Sequence, residues 1–221
     1  MLTIAGLVHR FEGGAAALDI DQMTVGTGGL TVIVGPSGSG KTTLLYVLSG
    51  LLRPSAGVVR WGDLDIGGLP EGQRDRWRRR HAGFVFQNFN LIEDMSPLAN
   101  VTLAAYFSAW SDAGVRRRGR QLLEEFGVAD ENRRVDTYSR GEQQRIALAR
   151  ALVFDPPIIF ADEPTASLDT GNAQTMAAML QGLARAGRTI IAVSHDPVLI
   201  GAADRVVRLS HGRLAAEEAL S

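Results

Sequence analysis

The chain has 221 residues, 45% apolar and 21% charged, and its 23 basic side chains nearly balance 24 acidic ones, for a net charge of −1. That is an ordinary globular composition with enough length for a sizeable core, and the neutral balance gives no support to a general polyanion binder. There is no cysteine, which excludes a disulfide scaffold, a zinc finger, an iron–sulfur site and a thiol nucleophile.

Uninterrupted apolar runs reach only about five residues against the roughly 20 of a membrane span, so no span is expected. The first residues lack a basic region followed by a long apolar stretch, so no signal peptide is expected and the default location is cytosolic. In chain order, Met1–Phe11 reads as a short strand. Leu30–Val34 reads as a buried strand that ends in a Gly-rich loop. Thr42–Leu52 reads as a helix with Leu44, Leu48 and Leu51 on one face, broken near Pro54 and Gly57. Asn88–Leu152 is helical in pattern and shows no convincing strand. Ile158–Ala161 and Thr189–Val193 are short runs rich in β-branched residues, with a helical stretch, Ala173–Ala186, between them. Arg205–Leu214 reads as an antiparallel pair turning at His211–Gly212. The alternation predicts an α/β core with a mainly parallel sheet, split by a helical insertion.

Of the 23 basic residues, 22 are arginine; the single lysine is Lys41. Lineage bias accounts for the arginines and leaves the exception unexplained. A site that needs a compact ammonium on a flexible stem cannot accept the broad guanidinium fork. Lys41 lies in Gly35-Pro36-Ser37-Gly38-Ser39-Gly40-Lys41-Thr42, which matches G-x-x-x-x-G-K-[ST] in full, between a strand and a helix. Glycines let the loop curl so that backbone N–H groups converge on phosphates, and the helix adds the positive end of its dipole. Lys41 supplies charge to the β/γ-phosphates. Thr42 offers a hydroxyl to Mg²⁺, with Thr43 beside it in the first turn. Hydrolysis also needs a carboxylate at the end of a buried strand. Asp162 and Glu163, after Ile158–Ala161, fit: Asp162 on the metal side, Glu163 placed to polarise the attacking water.

At this point the sequence resembles the ATP-binding-cassette ATPase family over essentially its whole length. Tyr138-Ser139-Arg140-Gly141-Glu142-Gln143-Gln144-Arg145 resembles the family's signature segment. Asp162-Glu163-Pro164-Thr165 with Ser167-Leu168-Asp169 resembles the Walker B strand and D-loop. Ser194-His195-Asp196 resembles the switch-histidine segment, and Gln87 the Q-loop glutamine. The resemblance implies a P-loop NTPase core with a mainly parallel sheet, a small antiparallel β subdomain and a helical insertion. It implies one cassette domain, with residues 1–87 and 153–221 as nucleotide-binding core and 88–152 as the helical subdomain. It implies ATP and Mg²⁺, with Gln87 as a ligand of the metal or water and His195 hydrogen-bonding the γ-phosphate. Ser139 and Gly141 would contact the ATP of a second copy. Phe11 falls where the family stacks an aromatic on adenine; a core Phe and an adenine platform are both open. Ser139-x-x-Glu142 is also a capping box that starts a helix.

Tyr138, Arg140 and Glu142 depart from the family's usual Leu-Ser-Gly-Gly-Gln, and Arg140 adds a long cation near the expected phosphate. The resemblance implies a head-to-tail dimer closed by ATP, a homodimer by default. The expected partner is a separate membrane permease, with the cassette peripheral on the cytoplasmic membrane face. Gln87–Ala105 would be divided between the helical core and a groove for that partner. Segments such as Arg78–Gln87 are similar to the lipoprotein-release, macrolide-export and cell-division branch. A non-transport mechanical or regulatory ATPase is the alternative. The runs Arg74–Arg80 and Arg116–Arg120 read as solvated helix faces, and no nucleic-acid partner is expected.

Overall fold

The computed structural model describes residues 1–12, 14–107, 112–128 and 133–215. The chain opens with strands β1 (Leu2–Arg10), β2 (Ala16–Val25) and β3 (Gly29–Val34), then helix α1 (Lys41–Leu48). Strands β4 (Ala56–Trp61) and β5 (Leu64–Asp65), helix α2 (Glu71–His81) and strand β6 (Ala82–Val85) follow. Next come helices α3 (Pro97–Thr102), α4 (Asp112–Glu125) and α5 (Arg140–Leu152), with no strand among the described residues between β6 and α5. The chain closes with β7 (Ile158–Asp162), α6 (Thr170–Arg185), β8 (Thr189–Val193), α7 (Pro197–Gly201), β9 (Arg205–Ser210) and β10 (Arg213–Leu214).

Two sheets result. One is antiparallel in the order β2-β1-β4-β5; the other runs β10-β9-β3-β8-β7-β6, parallel except for β10. β7 and β8 are buried at every position, which is why each reads as a continuous apolar run and shows no alternation. The two-residue period still divides their side chains. Ile159, Ala161, Ile190 and Ala192 join one core with the helical segment, whereas Ile158, Phe160, Ile191 and Val193 join the other with β1 and β2.

Phe160 is fully buried, edge-on to Trp61 at 6.0 Å and stacked on Phe84 at 5.5 Å. Phe160→Ala is expected to cost about 3–5 kcal/mol, because a ring-sized void cannot collapse between two packed sheets. Chemical denaturation of the two proteins checks this.

Two sequence expectations change. The helix over Thr42–Leu52 stops at Leu48: Gly50 turns the chain with φ +72°, and Leu51 is exposed. Arg74 does not lie on a solvated face. It is buried, paired with Glu71, while Arg78 of the same helix donates to Gly50 O at 2.5 Å. The Arg-rich α2 thus presents part of its basic face to the protein. Among the described residues, no helix is long and apolar enough to cross a membrane.

Candidate nucleotide site

Parallel strands place their carboxyl ends on one edge, where open α/β sheets hold ligands. β3 delivers the loop 35–40, β7 delivers Asp162 and Glu163, β8 delivers His195, and β6 leads to Gln87. Phe11, Gly35, Pro36, Ser37, Gly38, Gly40, Lys41, Thr42, Thr43, Gln87, Glu163 and His195 line a single cleft of about 790 Å³, together with Ala17. Ala17 had no sequence signal; it arrives from β2 through the tertiary fold. Ser39 lies buried beneath the loop, its N–H donating to Pro36 O at 3.2 Å.

Gly40, the residue before α1, has φ +98°, and a Cβ there would lie 2.8 Å from Ala17 O, so only glycine fits. Lys41 Nζ donates to Gly35 O at 2.9 Å and Pro36 O at 3.0 Å. Its ammonium therefore sits across the loop that would enclose phosphate.

Thr42 Oγ1 donates to Asp162 Oδ1 at 3.0 Å, joining the start of α1 to the end of β7. Burial pushes the Asp162 carboxyl up, and the hydroxyls of Thr42 and Tyr46 oppose that shift. Tyr46 lies one turn beyond Thr42 and faces the same carboxylate; burial pushes its phenol up, and Asp162 adds to that shift. Its i+4 spacing from Thr42 was the available signal.

Glu163 has a left-handed backbone, φ +47°, and its N–H donates to Val193 O at 2.9 Å. This fixes the residue against β8. Glu163 Oε1 is 3.0 Å from His195 Nδ1. With an ionised carboxylate as acceptor, Nδ1 carries the proton and Nε2 is left for another partner. Glu163 Oε2 is buried and has no hydrogen-bond partner among the described residues. A buried carboxylate oxygen left this way fits a site that receives a water or a cation. Thr42, Asp162 and Gln87 also offer the oxygen atoms a hard divalent cation prefers. Among the described residues, no group of three acidic or His side chains could hold a metal by itself.

Phe11 is 54% exposed and stands at the rim of the cleft, edge-on to His9 at 4.8 Å. It is therefore exposed and not a core residue. Ser139 and Gly141 do not line this cleft; Arg140 and Tyr138 line a separate one with Phe89. Arg140 lies 5.8 Å over the Phe89 ring, and Arg150, further along α5, donates to Phe89 O at 2.5 Å. Helix α5 therefore grips the segment just after Gln87, a link with no motif of its own.

Ser139 caps α5. Its hydroxyl accepts from Glu142 N at 3.3 Å, and Glu142 Oε2 accepts from Ser139 N at 2.8 Å, completing the capping box. The Ser139 hydroxyl and N–H hold the Glu142 carboxyl below its ordinary value. A depressed folded-state pKa gives stability that is present above the ordinary Glu range, near ~4.3, and is lost as pH falls through the lowered folded value. Glu142→Gln is therefore expected to flatten the acid limb of the stability–pH curve below about pH 5, measured by urea titration across pH.

The ABC transporter family profile matches residues 18–166. An uncharacterized ABC transporter ATP-binding protein of Mycobacterium tuberculosis is 38% identical over 207 residues, covering 92% of this chain and 63% of that protein. The chain thus spans less than two thirds of that relative's length. The lipoprotein-releasing system ATP-binding protein LolD of Syntrophotalea carbinolica is 37% identical over 219 residues, covering 97% of this chain and 96% of LolD. Among solved structures, the dimeric post-hydrolysis ATP-binding cassette MJ0796, bound to ADP and Pi, superposes with a TM-score of 0.91 at 33% identity. It covers 100% of this chain and 99% of that one. From its P-loop cleft, its two-sheet fold and these likenesses, the chain belongs to the ABC transporter ATP-binding family.

Proposed function

We propose that this chain is the ATP-hydrolysing subunit of an ABC transporter, closing head-to-tail with a second copy around two ATP molecules to drive a separate membrane permease. The observation that carries the reading is one cleft lined by the phosphate loop, Gln87, Glu163 and His195, with Ser139 and Gly141 outside it. A cleft with a hydrolytic carboxylate and no signature contact is half a site, and a second copy in reverse orientation supplies the other half. Residues 1–87 and 153–221 form the nucleotide-binding core in this reading, and residues 88–152 the helical subdomain. The homodimer, the permease and a peripheral position on the cytoplasmic membrane face belong to the same proposal.

Each side chain has a defined task. The loop N–H groups and Lys41 hold the phosphates, and Phe11 stacks on adenine. Thr42, Gln87 and Asp162 are suited to order Mg²⁺, which when bound neutralises charge on the β- and γ-phosphates. Glu163 accepts a proton from the water whose oxygen bonds to the γ-phosphorus as the bond to the β-phosphate oxygen breaks, giving ADP and phosphate. His195 orients Glu163 through Nδ1 and offers Nε2 to the γ-phosphate. A groove lined by Phe84, Phe86, Ala104 and Phe154, with Arg78 and Arg150 at its side, flanks the Q-loop and suits a short helix of the permease.

The test is light scattering on Glu163→Gln with ATP and Mg²⁺, followed by affinity capture from detergent-solubilised membranes. An ATP-dependent dimer that retains a multi-span protein at fixed stoichiometry supports the proposal. A monomer at saturating ATP overturns the dimer. A dimer with no membrane protein shifts the reading to a non-transport cassette.

A further inference from the structure

Helices α5 and α6 begin side by side, and one side chain fills the space between them. A Cβ built on Gly141 would lie 2.1 Å from Asn172 Oδ1 and 2.4 Å from its Cγ. No side chain fits at 141 while Asn172 stays in place, so glycine is required there for space.

Asn172 is firmly held. Its N–H donates to Asp169 Oδ1 at 2.9 Å, its Nδ2 donates to Asp169 Oδ2 at 2.6 Å, and its Oδ1 accepts from Arg145 Nη1 at 3.4 Å. Asp169 closes a compact turn that starts at the hydrolytic carboxylate. Ala166 N donates to Glu163 O at 3.0 Å, and Leu168 N donates to Thr165 O at 3.2 Å. Glu163 and Ser167 both hold left-handed backbones, at φ +47° and +66°, so the turn has little freedom to relax. A second tie runs in parallel, from buried Gln144 Nε2 to Pro164 O at 2.7 Å. A continuous path of close contacts therefore leads from Glu163 through Asp169 and Asn172 to the glycine of the signature segment.

We propose that Asn172 is a positioning residue that sets Gly141, and with it Ser139, relative to the turn after Glu163. Through it, the hydrolytic end of one protomer's site fixes the signature edge that the same protomer presents to its partner's ATP. The inference rests on the proposed dimer and adds which side chain ties the two motifs together. It also supplies a reason for Gly141 that is separate from close approach to phosphate. If phosphate alone required glycine, Asn172 would be irrelevant to any defect at 141. If Asn172 requires it, shortening Asn172 relieves that defect.

The experiment compares Gly141→Ala, Asn172→Ala and the double variant. Alanine for glycine near a helix start ordinarily stabilises. Here Gly141→Ala is expected to lower Tm by about 3–6 °C, because a packed amide must move, and Asn172→Ala in the same chain is expected to restore it. The cap of α6 survives Asn172→Ala, since Asp169 receives a backbone N–H. Asn172→Ala alone is expected to lower kcat about 10-fold, as a misplacement away from the chemistry does. Binding of a fluorescent ATP analogue to the single protomer should stay unchanged, a split that a merely structural defect would not give. The double variant should regain the Tm lost in Gly141→Ala, with a kcat above that of Gly141→Ala and no higher than that of Asn172→Ala.

A double variant as unstable and as slow as Gly141→Ala overturns the inference. Each substitution is also placed in the Glu163→Gln background and tested for ATP-dependent dimers. A Glu163→Gln parent that stays monomeric overturns the dimer reading, and the inference with it. A dimeric parent with an unrescued double variant overturns the inference alone.

Discussion

Glu163→Gln is expected to cut ATP turnover by about 10²–10⁴-fold, the usual worth of a positioned general base, with ATP binding retained. The amide keeps the shape of the carboxylate and loses the capacity to take a proton. Glu163 Oε2 is buried and unpartnered among the described residues, so none of them donates to it in competition with a water. Oε1 is already engaged by His195, and the left-handed backbone at 163 holds the side chain in place. A single-turnover phosphate-release assay reads the chemical step directly. Thermal unfolding serves as the control, because the isosteric amide keeps the packing and His195 stays exposed to solvent. Full turnover in Glu163→Gln would falsify its assignment as the base.

Lys41→Ala is expected to weaken ATP binding by about 10–150-fold, the worth of about 1.5–3 kcal/mol for a charged hydrogen bond. Binding of adenosine should stay unchanged. Lys41 Nζ donates to both Gly35 O and Pro36 O, so the ammonium suited to phosphate also braces the loop. Removing it deletes both the charge and the brace. Lys41→Arg is not expected to rescue, because a planar fork cannot enter a loop shaped around a point ammonium. Calorimetric titration with ATP and with adenosine separates the phosphate contribution from the base contribution. Equal weakening for both ligands would point to a collapsed loop.

Much of the site was legible because its chemistry is local in sequence. Gly35 to Thr42 carries its backbone shape, its charge and its hydroxyl within eight consecutive positions. β7 and β8 were legible because strands buried on both faces must be apolar throughout. The helix from Thr42 ends sooner than its apolar spacing implies, because Gly50 turns the chain before Leu51 can continue it. The Arg-rich α2 departs from a solvated face because the Arg74 guanidinium is buried beside Glu71, which neutralises it. β2, β4 and β6 carry weaker patterns and gain their definition from pairing with neighbours.

The sequence by itself determined which residues can do phosphate chemistry, since glycines, one lysine, one threonine and a strand-end carboxylate pair are dictated by residue type and spacing. It also determined that Ser139 and Glu142 start a helix, because a capping box is a four-residue device. Only the tertiary structure decided that Phe11 stands at the cleft rim, since exposure depends on what packs around β1. Only it decided that Tyr46 faces Asp162, that Arg150 grips the Q-loop, and that Asn172 fills the space Gly141 leaves. These contacts join residues from separate elements, and no local spacing encodes them. They follow from β3, β7 and β8 pairing in parallel, which brings distant strand ends and the helices beside them to one edge.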